Sequence, residues 1–181
     1  GFIFPGFDQI TTQLAKLTYR SEGNRSFPVV IRVPYGGHIG AVEHHQESPE
    51  AYFAHTAGLR VVSPATPNDG YWMIQQAIAS NDPVLFFEPK SRYWQKGEVA
   101  DDGVPAPLHQ SRVVRTGTQV TVVGHGAMVS QLLQAAEVAA GEGTSVEVID
   151  LRSLSPVDYA PILASVQKTG RLVVAQEAPG N

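Results

Sequence analysis

The sequence predicts an α/β protein built as two successive units, and three observations carry that prediction. Short β-branched runs alternate with helix-period segments in both halves of the 181 residues. Ser48-Pro49, Thr66-Pro67 and Ser155-Pro156 each set a hydroxyl residue before a proline, a pairing that suits the first turn of a helix. Between the halves, residues 88–117 lose periodicity and are punctuated by charge and proline.

Taken in order, Pro5 to Arg20 reads as a helix with Phe7, Ile10, Leu14 and Leu17 on one stripe, stopped at Gly23. Residues 28–33 then read as a buried strand, rich in valine and isoleucine. A glycine and histidine loop follows, leading into a short aromatic helix opened at Ser48-Pro49. Residues 59–62 are a second strand, and Thr66-Pro67 opens a helix running to about Ala79. Residues 84–87 make a third strand, bounded by Asn81-Asp82-Pro83, and Glu88-Pro89-Lys90 reads as a solvated turn. The second unit runs strand 119–123, helix 126–140 and strand 145–149. A helix opened by Ser155-Pro156-Val157-Asp158 and closed at Gly170 follows, then strand 171–175. Such alternation with short turns predicts parallel sheets in both units.

Composition narrows function. The chain carries 43% hydrophobic and 17% charged residues, enough to bury a sizeable core, with a net charge of −4. No lysine or arginine stripe supports nucleic-acid or polybasic membrane binding, and no apolar run approaches the roughly 20 residues of a membrane helix. Zero cysteines remove disulfides, thiolate nucleophiles and Cys-ligated zinc, which suits a reducing compartment.

Three of the six histidines, His38, His44 and His45, fall in the loop after the first strand. Glu43, His44, His45 and Glu47 could be read as a metal site, but no spacing puts two ligands on one helical face, so no metal ligand is assigned. The alternative is hydrogen bonding within the loop; the neighbouring glycines, which let backbone approach a ligand, favour a site. Gly124-His125-Gly126, with Asp150 ending the next strand, outlines a dinucleotide fingerprint. Val129 fills the third small position, so a tight strand-to-helix turn is the stronger reading. There is no P-loop and no Gly-x-Ser-x-Gly elbow.

Several stretches then carry a resemblance. They are Phe2-Ile3-Phe4-Pro5-Gly6-Phe7-Asp8-Gln9-Ile10, Arg32-Val33-Pro34-Tyr35-Gly36, His45 with Ser48-Pro49-Glu50-Ala51, Phe86-Phe87-Glu88-Pro89-Lys90 and Asp150-Leu151-Arg152-Ser153-Leu154. Together they resemble the beta subunit of the thiamine-diphosphate-dependent 2-oxo acid dehydrogenases, along essentially the whole chain. The branched-chain member is most similar, through the Ser-Pro-Glu-Ala and Phe-Phe-Glu-Pro-Lys stretches. The resemblance implies a parallel-sheet pyrimidine-binding domain over 1–95, truncated at its start. A linker over 96–117 and a truncated transketolase C-terminal-like α/β domain over 118–181 follow from it. It places the family's upstream cofactor glutamate before this chain begins, and further elements after Glu177-Ala178-Pro179.

The resemblance also implies chemistry. Thiamine diphosphate would be shared with an alpha subunit that supplies the magnesium site, in an alpha₂beta₂ heterotetramer with beta–beta contact. The acyl group would pass to the lipoyl acyltransferase core of the complex. Phe2 falls where the family stacks an aromatic on the cofactor pyrimidine. His45 falls at the active-site histidine, suited to proton transfer during acyl transfer. His38 and His44 receive no role, and Gln46-Glu47 departs from the family pattern by adding a carboxylate. A potassium site is implied at carbonyls near Phe27–Val30 and the loop before Pro83. The expected compartment is the cytoplasm of a bacterium or the mitochondrial matrix of a eukaryote. Pyruvate or acetoin dehydrogenase beta subunits are the alternatives of the same class; a non-catalytic assembly subunit is the alternative of another.

Overall fold

In the computed structural model, which describes residues 1–100 and 103–178, the strands form two four-stranded sheets. Asp101 and Asp102 of the expected linker, and Pro179, Gly180 and Asn181 at the end of the expected second domain, lie outside the described residues. The first sheet contains β1 (Val30–Tyr35), β2 (Arg60–Val62), β3 (Val84–Pro89) and β7 (Ser153–Ser155), in the order β1-β3-β2-β7. The second contains β4 (Arg112–Arg115), β5 (Val120–Gly124), β6 (Val146–Asp150) and β8 (Leu172–Val174), in the order β4-β6-β5-β8. Pairing is parallel for β1–β3, β2–β3, β5–β6 and β5–β8, as the alternation predicts.

Two strands depart from that expectation. β7 pairs antiparallel with β2, and β4 pairs antiparallel with β6, so both sheets are mixed. β4 also lies inside the segment read as aperiodic. Its four residues, with Arg112 and Arg115 at the two ends, show no apolar stripe, and both guanidiniums turn to acidic partners, Asp69 and Glu137. β7 carries the chain of the second half back into the first sheet, where Ser155 Oγ donates to Leu59 O at 3.1 Å.

β3 is the pin of the first unit: all six of its residues are buried. Leu85 and Phe87 face Val33, Tyr35, Phe53 and Val61 on one side; Val84 and Phe86 face Val62, Met73 and Ala77 on the other. This is the two-residue alternation of a strand covered on both faces. Each such apolar side chain contributes about 1.5–3 kcal/mol of burial. β1, by contrast, pairs among the described residues only with β3 and buries just Val33 and Tyr35, which corrects the reading of a buried strand. In the second unit, α4 (Met128–Gly141) packs Leu132 and Ala136 against Val122, Val146 and Val148, while α5 (Ala160–Thr169) sets Ile162 against Val123 and Ile149.

Helix starts follow the predicted signals unevenly. α3 (Pro67–Ile78) begins as expected, with Thr66 Oγ1 accepting from Asp69 N at 3.1 Å. α2 (Glu50–Ala54) begins later than Ser48-Pro49 suggests, with Pro49 at the cap position and no side-chain cap. α5 begins at Ala160 rather than beside Ser155, because Ser155 is held in β7 and Asp158 accepts from Ser111 N as well as Ala160 N. The opening segment is helical but irregular. A π turn over Gln9–Gln13 precedes α1 (Leu17–Arg20) and brings Thr11 and Ala15 inward beside Ile10, leaving Leu14 and Leu17 half-buried.

A buried polar cluster joins the two units. Asp69 of α3 accepts from Arg152 Nε at 3.3 Å and Arg112 Nη2 at 2.9 Å, with Asp150 beside them at the end of β6. Burial, then the Asp69 charge, pushes the Asp150 carboxyl up to about 7. A second bridge runs from His125 Nε2 to Glu50 Oε1 at 3.3 Å, both side chains buried.

Candidate active site

Parallel strands place their C-terminal ends, and the loops leaving them, on one rim. Here the loop after β1 carries Gly36, Gly37, His38, His44 and His45, and the turn after β3 carries Lys90. A cavity of about 460 Å³ opens beside them, within the usual size of a small-molecule site. Phe2, His44, His45 and Lys90 line it together with apolar Ile31, Val33 and Pro49. The larger cavity, about 1090 Å³, lies by Arg60 and Asp82 at the opposite, N-terminal ends of β2 and β3. Strand polarity favours the smaller one as the site.

The structure brings the two predicted site residues together. The Phe2 and His45 rings meet edge to face, with centroids 5.1 Å apart, and Phe2 meets His44 at 4.6 Å. Phe2 is 69% exposed, so a large apolar ring stands uncovered at the cavity mouth. His44 and His45 sit on a single 3₁₀ turn, Glu43–His45, and are exposed. His38 stands apart in a neighbouring cleft with Arg92 and Glu177, at a left-handed φ of 62°. Among the described residues, no three acidic or imidazole side chains converge to hold a metal ion.

Three groups at or near the site escaped the sequence reading. Lys90 is half-buried on the cavity wall, not part of a solvated turn. Burial pushes its ammonium down, and the Glu177 carboxylate partly offsets this. Glu88, in the same stretch, is buried and binds Arg32 through both oxygens while accepting from Tyr93 Oη at 2.9 Å. Burial and the Glu88 hydrogen bond push the Tyr93 phenol up to about 12. Glu177 Oε2 accepts from Gly37 N at 3.2 Å, reaching the histidine loop from beyond β8. The one signal for these groups in the sequence was position: all three lie at the C-terminal end of a strand or just after it.

Two other expectations concern the seam between the units and the ends of the strands away from this cavity. At Gly126, φ is +54°, and a β-carbon would lie 2.3 Å from Tyr35 Oη and 2.7 Å from Ser63 Oγ. The glycine turn is filled from the first sheet, and Asp150 is fully buried, so the tight-turn reading of residues 124–126 stands. Near Phe27–Val30, Asn81 O accepts from Phe27 N, Val29 O accepts from Val84 N, and Arg60 pairs with Asp82. The Arg60–Asp82 ion pair thus lies beside the corner where the potassium site is expected.

With this geometry in place, likeness to known proteins is informative. Residues 1–95 match the transketolase pyrimidine-binding domain, and residues 109–181 match the transketolase C-terminal domain. A pyruvate dehydrogenase E1 component subunit beta from Leifsonia xyli subsp. xyli is 72% identical over 180 residues, covering 99% of this chain and 53% of that protein. A 3-methyl-2-oxobutanoate dehydrogenase subunit beta from Mycobacterium tuberculosis is 49% identical over 180 residues, covering 99% and 52%. The chain thus spans about half the length of these relatives. Among solved structures, a split-gene transketolase described as an inactive beta4 tetramer matches with a TM-score of 0.71 and 26% identity, covering 84% of this chain and 49% of that one. Two mostly parallel sheets, joined by buried ion pairs and matched along both halves, place this chain in the transketolase family of pyrimidine-binding and C-terminal domains, among homologues that are E1 beta subunits of 2-oxo acid dehydrogenases.

Proposed function

We propose that the chain is a portion of the beta subunit of a thiamine-diphosphate-dependent 2-oxo acid dehydrogenase, active with an alpha subunit on a branched-chain 2-oxo acid. The observation that carries this reading is the meeting of Phe2 and His45 on one wall of a cavity at the strand ends. Residues 1–95 are read as the pyrimidine-binding domain, 96–117 as the linker and 118–181 as the C-terminal domain.

The residues present fit the cofactor's aromatic half. Phe2 offers an uncovered ring, and Ile31, Val33 and Pro49 supply the apolar wall a planar pyrimidine needs. When bound, thiamine diphosphate supplies the electron sink for loss of carbon dioxide from the 2-oxo acid. Phe2 would orient the ring, and the apolar wall would keep water from it. The His45 imidazole would hold or pass a proton during acyl transfer. Magnesium and the diphosphate are assigned to the alpha subunit, and the acyl group to the lipoyl acyltransferase core.

Pyruvate is the second reading for the substrate, favoured by the 72% identical relative, and the branched-chain reading is favoured by the 49% identical one. Full-length beta and alpha subunits, assembled together, should turn over 3-methyl-2-oxobutanoate faster than pyruvate or acetoin. The reverse order would establish the second reading. An assembled complex inactive on all three would make the subunit a non-catalytic scaffold. In the active complex, His45→Ala should lower lipoyl acylation by roughly 10²–10⁴-fold, the usual worth of a positioned acid or base. Unchanged acylation would remove His45 from the mechanism.

A further inference from the structure

Resting on that reading of the site, we propose that Glu177 is the positioning residue of the histidine loop. Its carboxylate, carried by the segment after β8, fixes the Gly36–Gly37 backbone and, through it, the placement of His45. The contact spans 140 positions of sequence and joins the second sheet to a loop of the first.

Within its own unit the loop is tied to itself, to the residues that close it and, at its far end, to the opening segment, where the Gly1 amino group donates to His44 O at 2.9 Å. Gly36 N donates to Glu47 O at 3.0 Å, His45 N donates to Val42 O at 3.0 Å, and the Gln46 amide donates to Ala41 O. These bonds set the shape of residues 36–47, and the Gly1 contact holds the His44 end, but neither anchors the Gly36–Gly37 end against the second unit. Glu177 supplies that anchor, since its Oε2 accepts from Gly37 N at 3.2 Å.

Gly36 is fitted to this contact. Its φ of +89° is left-handed, and a β-carbon there would stand 2.6 Å from Glu177 Oε1. The carboxylate therefore occupies the space a side chain would have taken. On its other side it raises the pKa of Lys90, against the effect of burial, so it acts on that cavity-lining cation as well. One side chain thus orders the backbone leading to His45 and bears on the charge across from it.

The test uses full-length beta subunit assembled with its alpha subunit, with amide hydrogen exchange and turnover measured in parallel. Glu177→Ala should speed exchange at the Gly37 amide roughly tenfold, and Glu177→Gln, which keeps an acceptor oxygen, should stay within about twofold of wild type. Lipoyl acylation should follow the same order, with kcat reduced in Glu177→Ala, KM for the 2-oxo acid nearly unchanged, and kcat rescued by glutamine. Wild-type exchange in Glu177→Ala, exchange in Glu177→Gln as fast as in alanine, or fast exchange with undiminished kcat would each overturn the assignment. Gly36→Ala gives a check from the other side: its effect on loop exchange should be smaller in the Glu177→Ala background, where the clash is gone. Equal effects in both backgrounds would also overturn it. If wild type turns over no 2-oxo acid, the functional reading fails, while the exchange measurements still decide the role of Glu177.

Discussion

Replacing Arg152 with methionine should destabilise the protein by about 3–5 kcal/mol, chiefly the cost of leaving carbonyls without their buried donor. The Arg152 side chain is 2% exposed. Its Nη1 donates to Pro107 O at 2.8 Å and Gln110 O at 2.9 Å, and its Nε to Asp69 Oδ1 at 3.3 Å. Methionine keeps the length and apolar bulk, so the cavity term is small and the loss is of donors. Pro107 O and Gln110 O lose a buried partner, at about 1–3 kcal/mol each, and Ala106 O loses a longer contact of 3.5 Å. Asp69 keeps Arg112 at 2.9 Å and Thr66 Oγ1 at 2.7 Å, so its charge is not left bare. Asp150, whose pKa the Arg152 charge helps to lower, becomes harder to ionise, which adds to the cost above neutral pH. A chain of this size loses about 2–4 °C per kcal/mol, so a fall of roughly 10 °C is expected. Urea and thermal unfolding of the full-length subunit measure it. Arg152→Lys, which keeps a charge but lacks the fork, should fall between the two. A loss below about 1 kcal/mol in the methionine variant would mean that these carbonyls do not depend on the guanidinium, and the inter-unit cluster would lose its structural role.

Two further predictions concern the same seam between the units. Gly126→Ala should cost about 2–3 kcal/mol, since the new methyl meets Tyr35 Oη and Ser63 Oγ at a φ of +54°; thermal unfolding reads the loss, and Ser63→Gly in the same background should recover part of it. His109, half-buried with Nδ1 2.9 Å from Ser153 Oγ, is pushed down to about 4 by burial, with Arg60 adding to the effect. Its folded pKa lies below the ordinary 6.5, so the unfolded chain takes up the proton first. The stability it contributes is full above pH 6.5 and falls as pH drops from there towards 4. His109→Gln should flatten that part of a melting-temperature profile taken between those limits, and an unchanged acid limb would show that another group causes it.

The sequence was most legible where burial on both faces leaves a continuous apolar run, as in β3, or where a cap acts locally, as at Thr66. It was least legible where a partner from far along the chain decides the outcome. Ser155 reads as a helix cap, but β2 holds it in a strand. Glu88 reads as solvated, but Arg32 and Tyr93 neutralise and bury it. The arginines of β4 hide a strand because their ion pairs are non-local.

By itself, then, the sequence determined the α/β class, most of the strand–helix order and the two residues, Phe2 and His45, that share a cavity wall. Those features depend on local periodicity, on turn chemistry and on a resemblance carried by contiguous stretches. Only the tertiary structure decided how the halves are joined and what holds the site. Arg152 on Asp69, His125 on Glu50 and Glu177 on Gly37 link positions that no spacing rule connects. A buried charge is stable only beside a matching partner, and such partners are chosen by folded proximity, which no stretch of the linear chain displays.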